Sequence, residues 1–266
     1  MNGFTLGRYY AIPSFIHRLD PRAKILALIL LLVAVFYPAG FSGYLIVGSL
    51  ILLAVILSRI PLSYFLMGIK PLLMMMVFLG ILNIFFIKTG DLLFKYRWFT
   101  LYSGALIQTA YIIVRLVLMV TVTTILTATT KPLDLTLGIE DLLKPFKALG
   151  LPTHEISMMI SIALRFIPTI LEEAMRIMKA QQSRGVDFEE GKLREKITAV
   201  LSLIIPLFVC AFQRAEDLAN AMEARSYDPQ GKRTRFHQLK IKFKDLVMLT
   251  FCIGTLGCVI MIGLRL

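Results

Sequence analysis

Two octets in the second half of the chain carry the residues best suited to a specific contact. AQQSRGVD (180–187) and AMEARSYD (221–228) lie 41 positions apart and share the pattern Ala-x-x-small-Arg-small-x-Asp. Ala180, Ser183, Arg184, Gly185 and Asp187 match Ala221, Ala224, Arg225, Ser226 and Asp228. A guanidinium is a planar fork of donors that pairs bidentately with a carboxylate, and small neighbours let a second surface approach it. Gly185 suits a left-handed helix cap, and Pro229 cannot continue a helix, so both arginines are predicted in the last turn of a helix. A cation there interacts favourably with the helix dipole, which is reason enough for one such arginine. Two copies in one pattern point further, to two matching knobs for two matching sockets on a dimeric or pseudo-dimeric partner.

Little else in the sequence suggests chemistry. Cys210, Cys252 and Cys258 sit in apolar surroundings with no second Cys or His at metal-ligand spacing, and are expected to be buried free thiols. His17, His154 and His237 are scattered, so no metal site is expected. There is no Walker A pattern and no aromatic-and-basic nucleic-acid module. LEEAMR (171–176) resembles the paired-glutamate motif of intramembrane CAAX-type proteases, but its arginine follows after two residues where that family has three. A charged helix face explains it, with Glu172 and Arg176 as an i,i+4 pair. A self-contained secondary transporter is the other alternative. It requires polar groups within several spans and usually repeated membrane halves, whereas the repeat here lies in the charged second half.

The elements that must position the octets follow from composition. The 266 residues are 57% hydrophobic with a mean hydropathy of +0.76, against about 45–50% apolar for soluble domains. Residues 25–58, 71–87 and 246–264 contain no Asp, Glu, Lys or Arg. Such runs read as transmembrane helices. YPAGFSG (37–43) breaks the first run into two spans, at about 24–37 and 42–58. Pro71–Ile87 forms a third, a fourth lies within 101–128, and 246–264 is the last. KTGDLLFKYRW (88–98) reads as a polar connection whose Tyr96 and Trp98, with Tyr102, suit a membrane interface. Arg115 falls near the middle of the fourth span, where a charge is expected to face the bundle, but the sequence names no partner for it. Asp20-Pro21 starts a helix, and Arg22 and Lys24 are read as anchors for lipid headgroups.

The expected fold is an all-α integral membrane protein with about five transmembrane helices and two long proline-kinked cytoplasmic helices. Its parts are 1–130, an N-terminal transmembrane region of four helices; 131–245, a cytoplasmic region; and 246–266, a C-terminal transmembrane helix. The middle part holds 33 of the 46 charged residues. Its two helices, His154–Arg184 around Pro168 and Lys192–Arg225 around Pro206, each have an apolar first half and a charged second half. A rival topology makes their apolar blocks, 156–164 and 197–212, two further spans; a third option lays them in the interface. Arg8, Arg18, Arg22 and Lys24 precede the first span and Arg59 and Lys70 follow the second, which puts the N-terminus in the cytoplasm by the positive-inside rule. Lys88, Lys95 and Arg97, against Asp91, conflict mildly with this. The formal charge of +12 is assigned to cytoplasmic loops and anionic membrane lipid, not to nucleic acid.

HRLDPRAK (17–24), LRFIPT (164–169), AQQSRG (180–185) and AMEARSY (221–227) together resemble, in order and over nearly the full length, the transmembrane T component of energy-coupling factor (ECF) transporters. These are the vitamin- and metal-importing branch of the ABC transporters. The resemblance implies that the two long helices are coupling helices, each ending in an Ala-Arg-Gly-like triplet. Here the triplets are Ser183-Arg184-Gly185 and Ala224-Arg225-Ser226, and neither is the strict form. It implies docking of two cytoplasmic ABC ATPase subunits, one per triplet, and a separate membrane S component that binds the substrate. The chain would then have no catalytic residue and no cofactor of its own, the ATP being used by the partners, and would reside in the cell membrane as a multi-pass protein. Met158, Met159, Met175 and Met178 on the first long helix are candidates for an adaptable S-component platform, since methionine surfaces repack around different partners.

Overall fold

The computed structural model describes residues 9–10, 12–96, 99–145, 153–188, 192–228 and 241–265. Arg8, Arg97, Trp98, Pro229 and His237, cited above, lie outside them. Eight α-helices are described: α1 Pro21–Phe36, α2 Gly40–Ser58, α3 Leu62–Phe86, α4 Ser103–Thr129, α5 Pro132–Leu143, α6 Thr153–Ser183, α7 Leu193–Ala224 and α8 Phe243–Gly263. The all-α class holds, with one addition. The connection between α3 and α4 contains an antiparallel pair, β1 Leu92–Tyr96 and β2 Phe99–Tyr102, with Leu92 opposite Tyr102 and Tyr96 opposite Phe99.

Two compact units divide the chain: α1–α5 with α8, and α6 with α7. In the first unit α1 is central, packing against α2, α4, α5 and α8. Its alanines explain the close approach: Ala23, Ala27 and Ala34 are buried, and small residues let membrane helices pack backbone to backbone. Leu31, Val35, Val47, Ile51, Val122, Cys252 and Val259 complete the core. Of the three cysteines only Cys252 is buried as expected. Cys210 is half-buried and Cys258 exposed, because α7 and α8 each turn one apolar face outward.

Among the described residues, five helices are long and apolar enough to cross a membrane: α2, α3, α4, α7 and α8. The number matches the sequence expectation, but the membership differs. With 16 residues, α1 spans about 24 Å, while α7 qualifies through its charge-free stretch 197–213. The third helix also starts earlier than Pro71. It begins at Leu62 after Pro61 and continues through Pro71, which removes a single backbone donor and is tolerated where neighbouring groups re-satisfy the backbone.

One end of the first unit is closed by a polar network. Asp245, 1% exposed, accepts the Lys242 N–H at 2.7 Å, capping α8, and the Asp20 N–H at 2.8 Å. Asp20 in turn caps α1, its carboxylate accepting the Arg22 N–H at 2.9 Å. The Arg22 guanidinium pairs with Asp141 of α5, which also binds Lys144 at 2.6 Å. Lys24 donates from Nζ to the Thr129 carbonyl at 3.0 Å and to Thr130 Oγ1 at 3.3 Å. Arg22 and Lys24 are therefore not headgroup anchors. Both are drawn inward by acceptors on α4 and α5, more than a hundred residues away in sequence. Gly138 lets α5 lie against the first turn of α1: a Cβ there would stand 3.2 Å from both Pro21 Cβ and Ile25 Cδ1.

Asp245→Ala orphans the buried Asp20 N–H and the part-buried Lys242 N–H and is expected to destabilise the protein by roughly 1–3 kcal/mol, read as a lower melting temperature in detergent. Gly138→Leu overpacks the α1–α5 contact, at a cost of about 1–3 kcal/mol by the same measurement.

Candidate docking site: two arginine-tipped helix ends

Three side-chain contacts define how α6 and α7 run. The Tyr227 hydroxyl, just past the end of α7, donates to Met158 Sδ near the start of α6 at 3.0 Å. The Arg214 guanidinium lies over the Phe166 ring at 5.7 Å. Gln181 Nε2, near the end of α6, donates to the Ser202 carbonyl near the start of α7 at 3.2 Å. Early meets late, middle meets middle and late meets early, so the two helices are antiparallel. Both continue through their prolines, Pro168 and Pro206.

The octets terminate these helices in the same way. In the first, the Gly185 N–H donates to the Gln182 carbonyl and the Val186 N–H to Gln181, each at 3.0 Å. In the second, the Ser226 N–H donates to Glu223 at 2.8 Å and the Tyr227 N–H to Met222 at 3.0 Å. This is the Schellman stop, which satisfies the last carbonyls by turning one residue left-handed. That residue is Gly185, with φ +85°, in one copy and Ser226, with φ +54°, in the other. Arg184 and Arg225 occupy the equivalent cap position immediately before it. Residues 181 and 186, and their counterparts 222 and 227, are half-buried; the other six positions of each octet are exposed. Ser183, Arg184, Gly185, Ala224, Arg225 and Ser226 thus all face outward. Neither arginine has a carboxylate partner among the described residues. Beside the first tip, a hollow of about 490 Å³ lies between Gly185–Asp187 and the first turns of α7, including Arg194 and Glu195.

Because the helices are antiparallel, the tips stand at opposite ends of the pair. The 31 residues of α6 correspond to about 45 Å. Nothing in the octets themselves shows the separation of the tips.

The four methionines do not form one surface. Met159 and Met175 are 58% and 51% exposed, while Met158 and Met178 are half-buried. The broader apolar face belongs to α7: Ile197, Val200, Leu201, Ile204, Ile205, Phe208, Val209 and Phe212 all point outward at helical spacing. The opposite side, including Ala199, Ser202 and Pro206, is the less exposed one. In LEEAMR, Arg176 meets Glu173 at 3.8 Å rather than Glu172, the i,i+3 neighbour being on its side of the helix. No group of three His, Cys, Asp or Glu side chains able to hold a metal occurs among the described residues. His17 instead bonds Ser14 Oγ through Nδ1 at 2.7 Å and the Tyr10 carbonyl through Nε2 at 2.8 Å.

Apolar helices around a small-residue core, with a separate antiparallel pair bearing two alike termini, define a multi-pass helical membrane protein. Residues 13–237 match the model of a family described as cobalt transport protein, CbiQ. The chain is 42% identical over 245 residues to the energy-coupling factor transporter transmembrane protein EcfT of Bacillus subtilis, covering 92% of each chain. It is 41% identical to that of Clostridium kluyveri over 258 residues, covering 96% of this chain and 94% of the relative. With the protein of the same name from Macrococcus caseolyticus the identity is 44% over 241 residues and 90% of each chain. The chain belongs to this family, the transmembrane T components of ECF transporters.

The two stops differ in backbone cost. A left-handed L-residue costs about 1–2 kcal/mol relative to the right-handed region, and glycine escapes this penalty. Ser226→Gly is expected to slow hydrogen exchange at the Tyr227 amide, and Gly185→Val to speed it at Val186, the first tip fraying while the second tightens.

Proposed function

We propose that the chain is the energy-coupling scaffold of an ECF-type importer, and that Arg184 and Arg225 each dock one of two cytoplasmic ATPase subunits. The observation that carries this reading is the duplication in three dimensions: one backbone stop, one exposed unpaired arginine and one pair of small neighbours, repeated at opposite ends of an antiparallel helix pair. A carboxylate in a socket on each ATPase is the complementary group, and the small residues at 183, 185, 224 and 226 let the socket wall close around the guanidinium. A spacing of about 40 Å, the rise over α6 from Met158 beside the second tip to Arg184, suits two subunits side by side better than two sites on one subunit.

The N-terminus and the α6–α7 pair then lie on the cytoplasmic side. The substrate, a vitamin or another micronutrient, is bound by a membrane S component. That component rests on the apolar outer face of α7 together with Met159 and Met175 of α6. The chain itself performs no reaction; the ATP is hydrolysed by its partners, whose closure is transmitted through the two tips.

The double charge reversal Arg184→Glu with Arg225→Glu is expected to abolish co-purification with the ATPases and substrate uptake, while the protein remains in the membrane at its normal level. Either single reversal is expected to weaken the complex by about tenfold or more. Uptake by the doubly reversed protein, or by vesicles lacking the ATPases, would sink this reading.

A further inference from the structure

The single charged residue of α4 stands without a counter-charge among the described residues. Arg115 is the 13th of the 27 residues of α4, about 18 Å along the helix from Ser103. Helical side chains lean toward the helix N-terminus, and this one does so: its Nε–H and Nη2–H both donate to the Tyr44 hydroxyl, at 3.0 and 2.8 Å. The guanidinium also lies 5.8 Å from the centre of the Phe36 ring. Phe36 is the last residue of α1 and Tyr44 is in the second turn of α2. The charge is thus delivered to the level of the α1–α2 turn, the headgroup boundary at that end of the unit, although its backbone sits mid-helix.

Tyrosine is neutral, and no carboxylate faces this guanidinium among the described residues. Two of its five N–H donors are taken by one oxygen, leaving three. They border a groove of about 360 Å³ whose other polar walls are Thr89, Gln108 and Tyr111. Gln108, Tyr111 and Arg115 lie on one face of α4, at i, i+3 and i+7. Ile107 lines the same groove and is 55% exposed, as is Phe36 nearby, so its mouth is apolar. A cation with spare donors, flanked by a hydroxyl and an amide at headgroup depth and opening onto apolar surface, matches an anionic headgroup attached to acyl chains. Arginine pairs with phosphate bidentately, and a charge within a membrane is costly unless paired.

We propose that this groove binds the phosphate of a membrane phospholipid, with Arg115 as its ion partner, Gln108 and Tyr111 as further donors, and Ile107 and Phe36 against the start of the acyl chains. Inorganic phosphate offers the same chemistry, so the test separates the two sources.

The full-length protein is reconstituted in nanodiscs of phosphatidylglycerol, or of a phosphate-free diglucosyl diacylglycerol, and released into mild detergent for native mass spectrometry. The wild-type protein is expected to retain one phosphatidylglycerol that Arg115→Gln loses, with occupancy falling about tenfold or more; Arg115→Lys retains part of it, and the glycolipid is not retained. Gln108→Leu leaves the Arg115–Tyr44 bonds intact and guards against a folding artefact. It is expected to lower occupancy without changing the melting temperature. Equal phosphatidylglycerol retention by all variants, or equal retention of the glycolipid, overturns the proposal. Inorganic phosphate adducts that depend on Arg115, with no lipid retained, overturn its lipid source.

Discussion

Asp245 holds the beginning of the membrane unit to its end. Its two oxygens accept the N–H of Asp20, which starts α1, and the N–H of Lys242, which starts α8. Between those helices the chain leaves to build α6 and α7 and then returns. A buried carboxylate is costly to desolvate, and this one persists because its oxygens are used by backbone donors. Through Asp20 the network reaches Arg22, through Arg22 it reaches α5, and beside it Lys24 closes the end of α4. The first unit is therefore discontinuous in sequence but tied where its pieces meet, and the α6–α7 unit is inserted between two anchored strands of chain.

The two tips obey a different constraint. A helix cannot end without partners for its last carbonyls, and the Schellman stop supplies them from the backbone itself. Each arginine is thus positioned by main-chain geometry, independent of any side-chain bond, and its guanidinium is left free. That combination separates the tips from Arg22, Lys24 and Arg115, whose donors are spent wholly or partly within the fold. It also accounts for the octet: Ala180 and Ala221 and the small residues around each arginine are exposed, and only the third residue before each arginine and the second after it turn inward.

Much of this was legible in the sequence, and the limits are physical. Charge-free runs located α2 and α8 closely, and the apolar stretch within 101–128 located α4 despite Arg115, because hydropathy reports lipid contact directly. The third helix was shortened because its span was bounded by the charge-free run 71–87, whereas the helix begins at Leu62 and carries Lys70 within it. The hairpin at 92–102 escaped because its alternating aromatics were read only as interface residues. Arg22 and Lys24 were assigned to lipid because their acceptors, Asp141 and Thr129, are distant in sequence; Tyr44 as the partner of Arg115 was hidden for the same reason. In the octets, Gly185 announced a left-handed cap, whereas Ser226 adopts the same conformation without announcing it. The antiparallel course of α6 and α7 is signalled only by the nine-residue link between Ser183 and Leu193, too short to run back along a 31-residue helix.

That course has a mechanical consequence. The tips belong to different helices pointing in opposite directions, so shortening the distance between them requires α6 to slide along α7. Three of the contacts that register the slide are a hydroxyl on a thioether, a guanidinium over a phenyl ring and an amide on a carbonyl. None is an ion pair, and each tolerates small displacements. These three contacts hold two long rods in register without a pair of opposite charges locking them together.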